Sequence, residues 1–89
     1  MITGQDNYKS LFLKSNKDTL IKALRIFSLR DRVVIDDVFY EFTRLLTLRD
    51  VDIHFLIKFL IDRKYIIKHK SNFKRERIID PNKTIEEFI

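Results

Sequence analysis

Between residues 17 and 29 the apolar positions Leu20, Ala23, Leu24 and Phe27 recur at intervals of three and four, with Ile21 beside them and Lys22 and Arg25 outside. At about 3.6 residues per turn this spacing puts the apolar set on one helix face, so a first helix is predicted over 17–29. Ser15 or Asn16 is expected to cap it. Ahead of it, Leu11, Phe12 and Leu13 form a short apolar cluster expected to tuck against the core, and residues 1–10 are expected to be a flexible start. After Asp31 and Arg32, the run Val33, Val34, Ile35 is β-prone. Asp36 is then placed as the cap of a second helix reaching about Leu46, with Val38, Phe42 and Leu45 inward and Phe39 and Leu46 flanking. Thr47, Leu48 and Arg49 make the next turn, with Leu48 buried at the corner and no glycine to ease the bend.

From Asp50 the pattern returns to helical spacing. Ile53, Ile57, Leu60 and Ile61 share an arc with Leu56 beside them. Asp50 is expected to accept hydrogen bonds from the first-turn N–H groups, with Asp52 adding negative charge there. Past Arg63 and Lys64 the chain turns β-prone at Tyr65, Ile66 and Ile67. Ser71 and Asn72 read as a turn pair, and Arg77, Ile78 and Ile79 follow. Asp80, Pro81 and Asn82 are expected to close the last strand, since proline stops a ladder. Helix, strand, helix, helix and hairpin in that order predict an α+β chain, mostly α. The specific expectation is a winged helix-turn-helix over residues 11–80: a three-helix core, a short strand and a two-stranded β-wing. Its expected core is Leu20, Leu24, Phe27, Val34, Val38, Phe42, Leu45, Ile53, Ile57, Leu60, Ile61, Tyr65 and Ile67. In the tail, 81–89, Thr84 and Glu87 have capping-box spacing. That predicts a helix starting at Thr84, either one terminal turn packed on the core or the beginning of a further helix.

Charge sharpens this picture. The 89 residues carry a formal net charge of +5, from eighteen basic and thirteen acidic groups. Seven of the basic groups (Arg63, Lys64, Lys68, Lys70, Lys74, Arg75, Arg77) and only Glu76 of the acids fall in 63–77, leaving eleven basic and twelve acidic groups elsewhere. The positive excess is thus confined to the expected wing. That is the footprint of a phosphate-bearing partner or of an acidic protein surface. The plain alternative is a hairpin kept soluble by its lysines. With no apolar run long enough to cross a membrane, no apolar signal core in the first residues and no cysteine, the expected compartment is intracellular, cytoplasm or nucleus.

Catalytic chemistry is not expected. One glycine excludes a glycine-rich phosphate loop, and His54 and His69 alone give no metal spacing, so neither cofactor nor metal is expected. Asp36–Asp37 and Glu86–Glu87 are adjacent pairs, which diverge by about 100° on a helix and do not converge on a substrate. Binding remains. Opposite Ile53 and Ile57 the third helix offers Val51, Phe55, Lys58 and Asp62, with Asp52, His54 and Phe59 at the margins and no Arg, Asn or Gln from Val51 to Asp62. That face is poorly suited to reading bases in a major groove. The nucleic-acid contacts are therefore assigned to the wing: Lys68, Lys70, Asn72, Lys74, Arg75 and Arg77, with Lys58 on the helix. Phe55 has two readings, packing against residues 11–13 or serving with Phe59 as an exposed aromatic anchor for a protein partner; Tyr40 shares the ambiguity.

The stretch Leu24-Arg25-Ile26-Phe27, then 33–42, then Ile53, Ile57 and Leu60-Ile61-Asp62-Arg63-Lys64-Tyr65-Ile66 resembles the winged-helix B domain at the C-terminus of cullins. In that family an isoleucine-rich helix ends in a charged pair and a tyrosine that opens the wing. The resemblance implies a winged-helix fold and a protein-contact role in a ubiquitin-ligase scaffold, as in the anaphase-promoting complex. Two departures stand out. The family's acceptor lysine for a ubiquitin-like modifier would fall at Ser28, so that modification is not implied, and residues 81–89 replace the family's aromatic-rich end. Two functions follow as expectations. One is binding of nucleic acid, most simply double-stranded DNA, by a small transcription- or replication-type regulator, as a homodimer. The alternative is a protein-interaction domain meeting an acidic or apolar partner through Tyr40, Phe55 and Phe59.

Overall fold

The computed structural model describes residues 4–88, with side chains described for 17–87. Element order is α1 (Gly4–Leu29), β1 (Arg32–Val34), α2 (Ile35–Tyr40) continuing into a π-helical turn (Glu41–Leu45), α3 (Asp50–Asp62), β2 (Ile66–His69), β3 (Asn72–Arg75) and α4 (Pro81–Phe88). The chain is α+β and mostly helical, with a three-stranded antiparallel sheet in the order β1-β3-β2. β3 is central. It pairs with β1 through Val33 opposite Phe73 and with β2 through Lys68 opposite Phe73.

The helices follow the apolar spacing, and their ends do not. Leu20, Ala23, Leu24 and Phe27 are buried as expected. Helix α1, however, passes through Ser15 and Asn16, so neither caps it; the expected packing of Leu11, Phe12 and Leu13 lies outside the described side chains. In α2 the residue at the N-cap is Val34, with no side-chain cap, and Asp36 sits inside the first turn. Leu45, expected in the core, is 70% exposed. The π-helical turn explains this: Leu46 donates to the Glu41 carbonyl at 3.0 Å, one residue farther back than in an α-helix. The wider turn carries Leu45 outward and leaves Leu46 against the core.

In the strands, a shift of one residue exchanges the faces. Val33 and Ile66 are buried, whereas Val34 and Ile67, both expected in the core, are 42% and 40% exposed. Ile61 is also exposed, at the end of α3. Asn72 lies in β3 opposite His69 and Val34, so the hairpin turn is Lys70-Ser71 rather than Ser71-Asn72. Ile78 is outside any strand and 85% exposed. The sequence Asp80-Pro81 starts a helix instead of closing a strand. Asp80 Oδ1 accepts from the Asn82 N–H at 3.1 Å, and Pro81 occupies the first helical position, where its missing N–H costs nothing. Thr84, expected as the cap, is buried inside α4, which packs on α1 and adds Ile85 to the core, and Ile79 in the segment before it is buried as well.

Among the described residues, three turns bend at a non-glycine residue. Thr47, Lys64 and Lys70 take φ of 52°, 61° and 55°. Lys64 closes α3 in a Schellman arrangement: its N–H donates to the Ile61 carbonyl at 3.0 Å, and that of Tyr65 donates to Leu60 at 2.9 Å. Lys70 supplies the positive φ that a two-residue hairpin loop needs at its first central position. Each left-handed non-glycine residue carries steric strain of about 1–2 kcal/mol, which glycine relieves at the cost of a more flexible unfolded chain. Lys64→Gly is therefore expected to raise the unfolding free energy by about 0.5–1 kcal/mol. Thr47→Gly should gain more, since Thr47 is β-branched. Urea unfolding midpoints check both.

Candidate nucleic-acid interface

The inward face of the sheet consists of Val33, Ile66 and Phe73, with Arg75 and Lys68 at its rim. The outward face carries two cross-strand rows. Arg32, Lys74 and Ile67 form one, and Val34, Asn72 and His69 form the other. Asn72 is half-buried and the other five are exposed.

The basic residues of 63–77 divide into two groups. Arg75 is structural. Its Nη1 donates to the Ser28 carbonyl at 2.7 Å, its Nη2 meets Asp31 Oδ1 at 2.6 Å, and its N–H donates to the Asp31 carbonyl at 2.8 Å. A guanidinium, with donors in a fixed fork, suits this joint between the free carbonyls of a helix end and a strand. Arg77 is likewise engaged. Its guanidinium lies 4.1 Å from the centre of the Tyr65 ring, donates to the Arg63 carbonyl at 3.0 Å and approaches Glu87 at 3.7 Å. The buried Tyr65 hydroxyl donates to Glu87, and burial, then the Glu87 contact, pushes its phenol up from its ordinary value. Both arginines, assigned to phosphate contact from the sequence, thus serve the fold: one fixes β3 to α1, the other fixes the chain after β3 to Tyr65 and α4. Arg63 sits 5.7 Å from the Phe59 ring.

Lys68, Lys70 and Lys74 are different. All three are exposed, and none forms an ion pair among the described residues. Lys58 is tied to Asp62 at 2.9 Å, so on the outward side of α3 it is partly neutralised. Arg32, outside the basic stretch 63–77, sits exposed opposite Lys74. It lies some forty positions from the hairpin (Arg32 against Lys74), and only strand pairing reveals the neighbour.

Helix α3 turns Val51, Lys58 and Asp62 outward, as expected; His54, placed at the margin, is exposed as well, whereas Phe55, expected on the outward face, is half-buried against the core. Asp52, placed at the margin of that face, is instead buried. Its carboxylate accepts from the Arg49 N–H at 3.2 Å and from Arg49 Nε at 3.1 Å, so Arg49 is the N-cap residue, with Asp52 reaching back to it, and Asp50 is not the cap. Burial outweighs the backbone hydrogen bond and holds the Asp52 carboxyl above its ordinary value. Phe55 and Phe59 are half-buried and packed against the core, and Tyr40 is 62% exposed. The three proposed anchors are therefore not equivalent surfaces. Among the described residues no cluster of His, Cys, Asp or Glu could hold a metal ion, and no helix is long and apolar enough to cross a membrane. No family model, curated protein or solved structure matches the chain.

Two outcomes test the division of roles. Arg75→Ala should lower stability by about 1–2 kcal/mol, because it strips a charged donor from a helix-end carbonyl. Lys74→Ala should cost less than about 0.5 kcal/mol, and denaturant midpoints compare the two. For Asp52 the sign is set by the raised carboxyl: the native state binds more protons than the unfolded one across the carboxylate range, so this group's contribution to stability falls as pH rises. Asp52→Asn keeps an oxygen for the Arg49 N–H and removes the ionisation. Its stability relative to the parent should therefore rise as the pH rises through the carboxylate range, read by unfolding at each pH.

Proposed function

We propose that this chain is a winged-helix domain that binds double-stranded DNA through its basic hairpin, with little sequence selectivity. The carrying observation is the set of exposed lysines Lys68, Lys70 and Lys74, unpaired among the described residues. The order of elements and the β1-β3-β2 sheet support the winged-helix reading. The outward side of α3 argues against base readout: it offers Asp50, Asp62 and a lysine already paired with Asp62. Affinity then comes from phosphate contacts and counterion release, which makes it steeply salt-dependent. A second copy of the chain would lengthen the site, since one such module covers few base pairs.

A protein-contact role, as the likeness to cullin winged helices implies, has one observation in its favour. Tyr40, Leu45 and Val51 are all more than half exposed around the segment joining α2 to α3. The same residues would then meet an apolar partner, without Phe55 and Phe59 as principal anchors.

Fluorescence anisotropy with a random-sequence duplex at two salt concentrations decides between them. Micromolar binding that collapses at the higher salt is the expected result. Replacing Lys68, Lys70 and Lys74 together by alanine should flatten the logarithmic salt slope by about 2–3, at roughly 0.9 per lost phosphate contact. No binding at low salt removes the nucleic-acid reading and leaves the protein-contact one.

A further inference from the structure

We infer that the phosphate-contacting surface is the outward face of the three-stranded sheet, centred on Arg32 and Lys74, and that its ligand is the backbone of a nucleic-acid duplex. This rests on the reading above and changes its geometry: the docking element is a flat face that includes β1, not a projecting hairpin.

The first observation is that the hairpin does not project. The Ile35 N–H donates to the Ser71 carbonyl at 2.8 Å, tying the loop tip to the start of α2. β2 and β3 are only four residues each. A tip held in this way cannot reach alone into a groove.

The second is the charge of the face. Its six residues are Arg32, Lys74, His69, Asn72, Val34 and Ile67, with no carboxylate among them. The nearest acid in sequence to Arg32 is Asp31, which is paired with Arg75 at 2.6 Å. Arg30, also exposed, extends the basic edge towards the end of α1. Asp36 and Asp37 lie past the Val34 row, in the first turn of α2, and Glu76 is exposed two residues beyond Lys74, so the positive charge of the face is confined to the Arg32–Lys74 row. Charge complementarity therefore selects a polyanion and orients it.

The third is what the face lacks. It bears no Phe, Tyr or Trp. Proteins that bind single strands rely on aromatic side chains to stack bases, whereas duplex phosphates need only charge and hydrogen-bond donors. Arg32 on the edge strand and Lys74 on the central strand are cross-strand neighbours roughly 5 Å apart, so the two cations can contact phosphates along one rim of a groove.

The test is duplex-binding anisotropy with five single variants of the full chain, each first checked by thermal melting. Arg32→Ala, outside the hairpin, should weaken binding and flatten the salt slope by about 0.9. Ile67→Lys should tighten binding and steepen the slope by a similar amount, and Ile67→Glu should reduce affinity at least tenfold. Arg44→Ala, on the π-helical turn, serves as the control and should change nothing. A single strand of equal phosphate number should bind more weakly than the duplex. If Lys70→Ala weakens binding while Arg32→Ala and both Ile67 variants leave it unchanged, the face is overturned and hairpin binding stands. If the parent protein binds no duplex at low salt, the nucleic-acid reading fails with it. Preference for the single strand overturns the ligand assignment.

Discussion

Phe27 joins the two halves of this small fold. Its ring meets Phe42 of the π-helical turn edge-on at 5.9 Å and Phe73 of the central strand at 6.0 Å. Each such pair contributes about 0.5–1.5 kcal/mol beyond the area it buries. The larger effect is geometric. Phe73 is the one residue in register with both Val33 and Lys68, so its seat against Phe27 fixes the height of the sheet over α1. With the inward face committed to Val33, Ile66 and Phe73, the alternate positions have only solvent to face. The basic outward surface is therefore a by-product of where the aromatic core closes.

Around this centre, arginines do the joining that helix caps and glycines do elsewhere. Arg75 satisfies the Ser28 carbonyl at the end of α1, and Arg77 covers Tyr65, beside the Glu87 contact that holds α4. Neither role depends on net charge alone; a lysine has the charge without the planar fork. Their engagement in the fold leaves fewer unpaired cations on the surface than the sequence suggests. Lys68, Lys70, Lys74 and Arg32 remain available.

The helices were legible because α1 and α3 each keep apolar spacing over several turns; Leu20 to Phe27 and Ile53 to Leu60 are buried where that spacing puts them. The strands were not. Val33-Val34-Ile35 and Tyr65-Ile66-Ile67 are unbroken apolar runs, and in strands of three or four residues no alternation marks the inner face. Leu45 was misplaced by a local change of helical pitch, which residue type does not announce. Asp80-Pro81 is a cap followed by proline at the first helical position, but an aspartate and a proline also end strands, and residue type alone does not separate the two. Within the site, the lysines were legible as exposed charge. Arg75 and Arg77 were not, since their acceptors are carbonyls and a ring whose positions only the tertiary fold supplies.

The bond between Ile35 and Ser71 makes the hairpin and the start of α2 one mechanical piece. A loop that is pinned at both its base and its tip cannot wrap around what it meets. Whatever docks on the sheet must already have a matching contour, or must itself deform and bear the elastic cost. Discrimination by such a surface would fall on the shape and stiffness of the ligand, with the letters of a sequence entering only through how readily they bend.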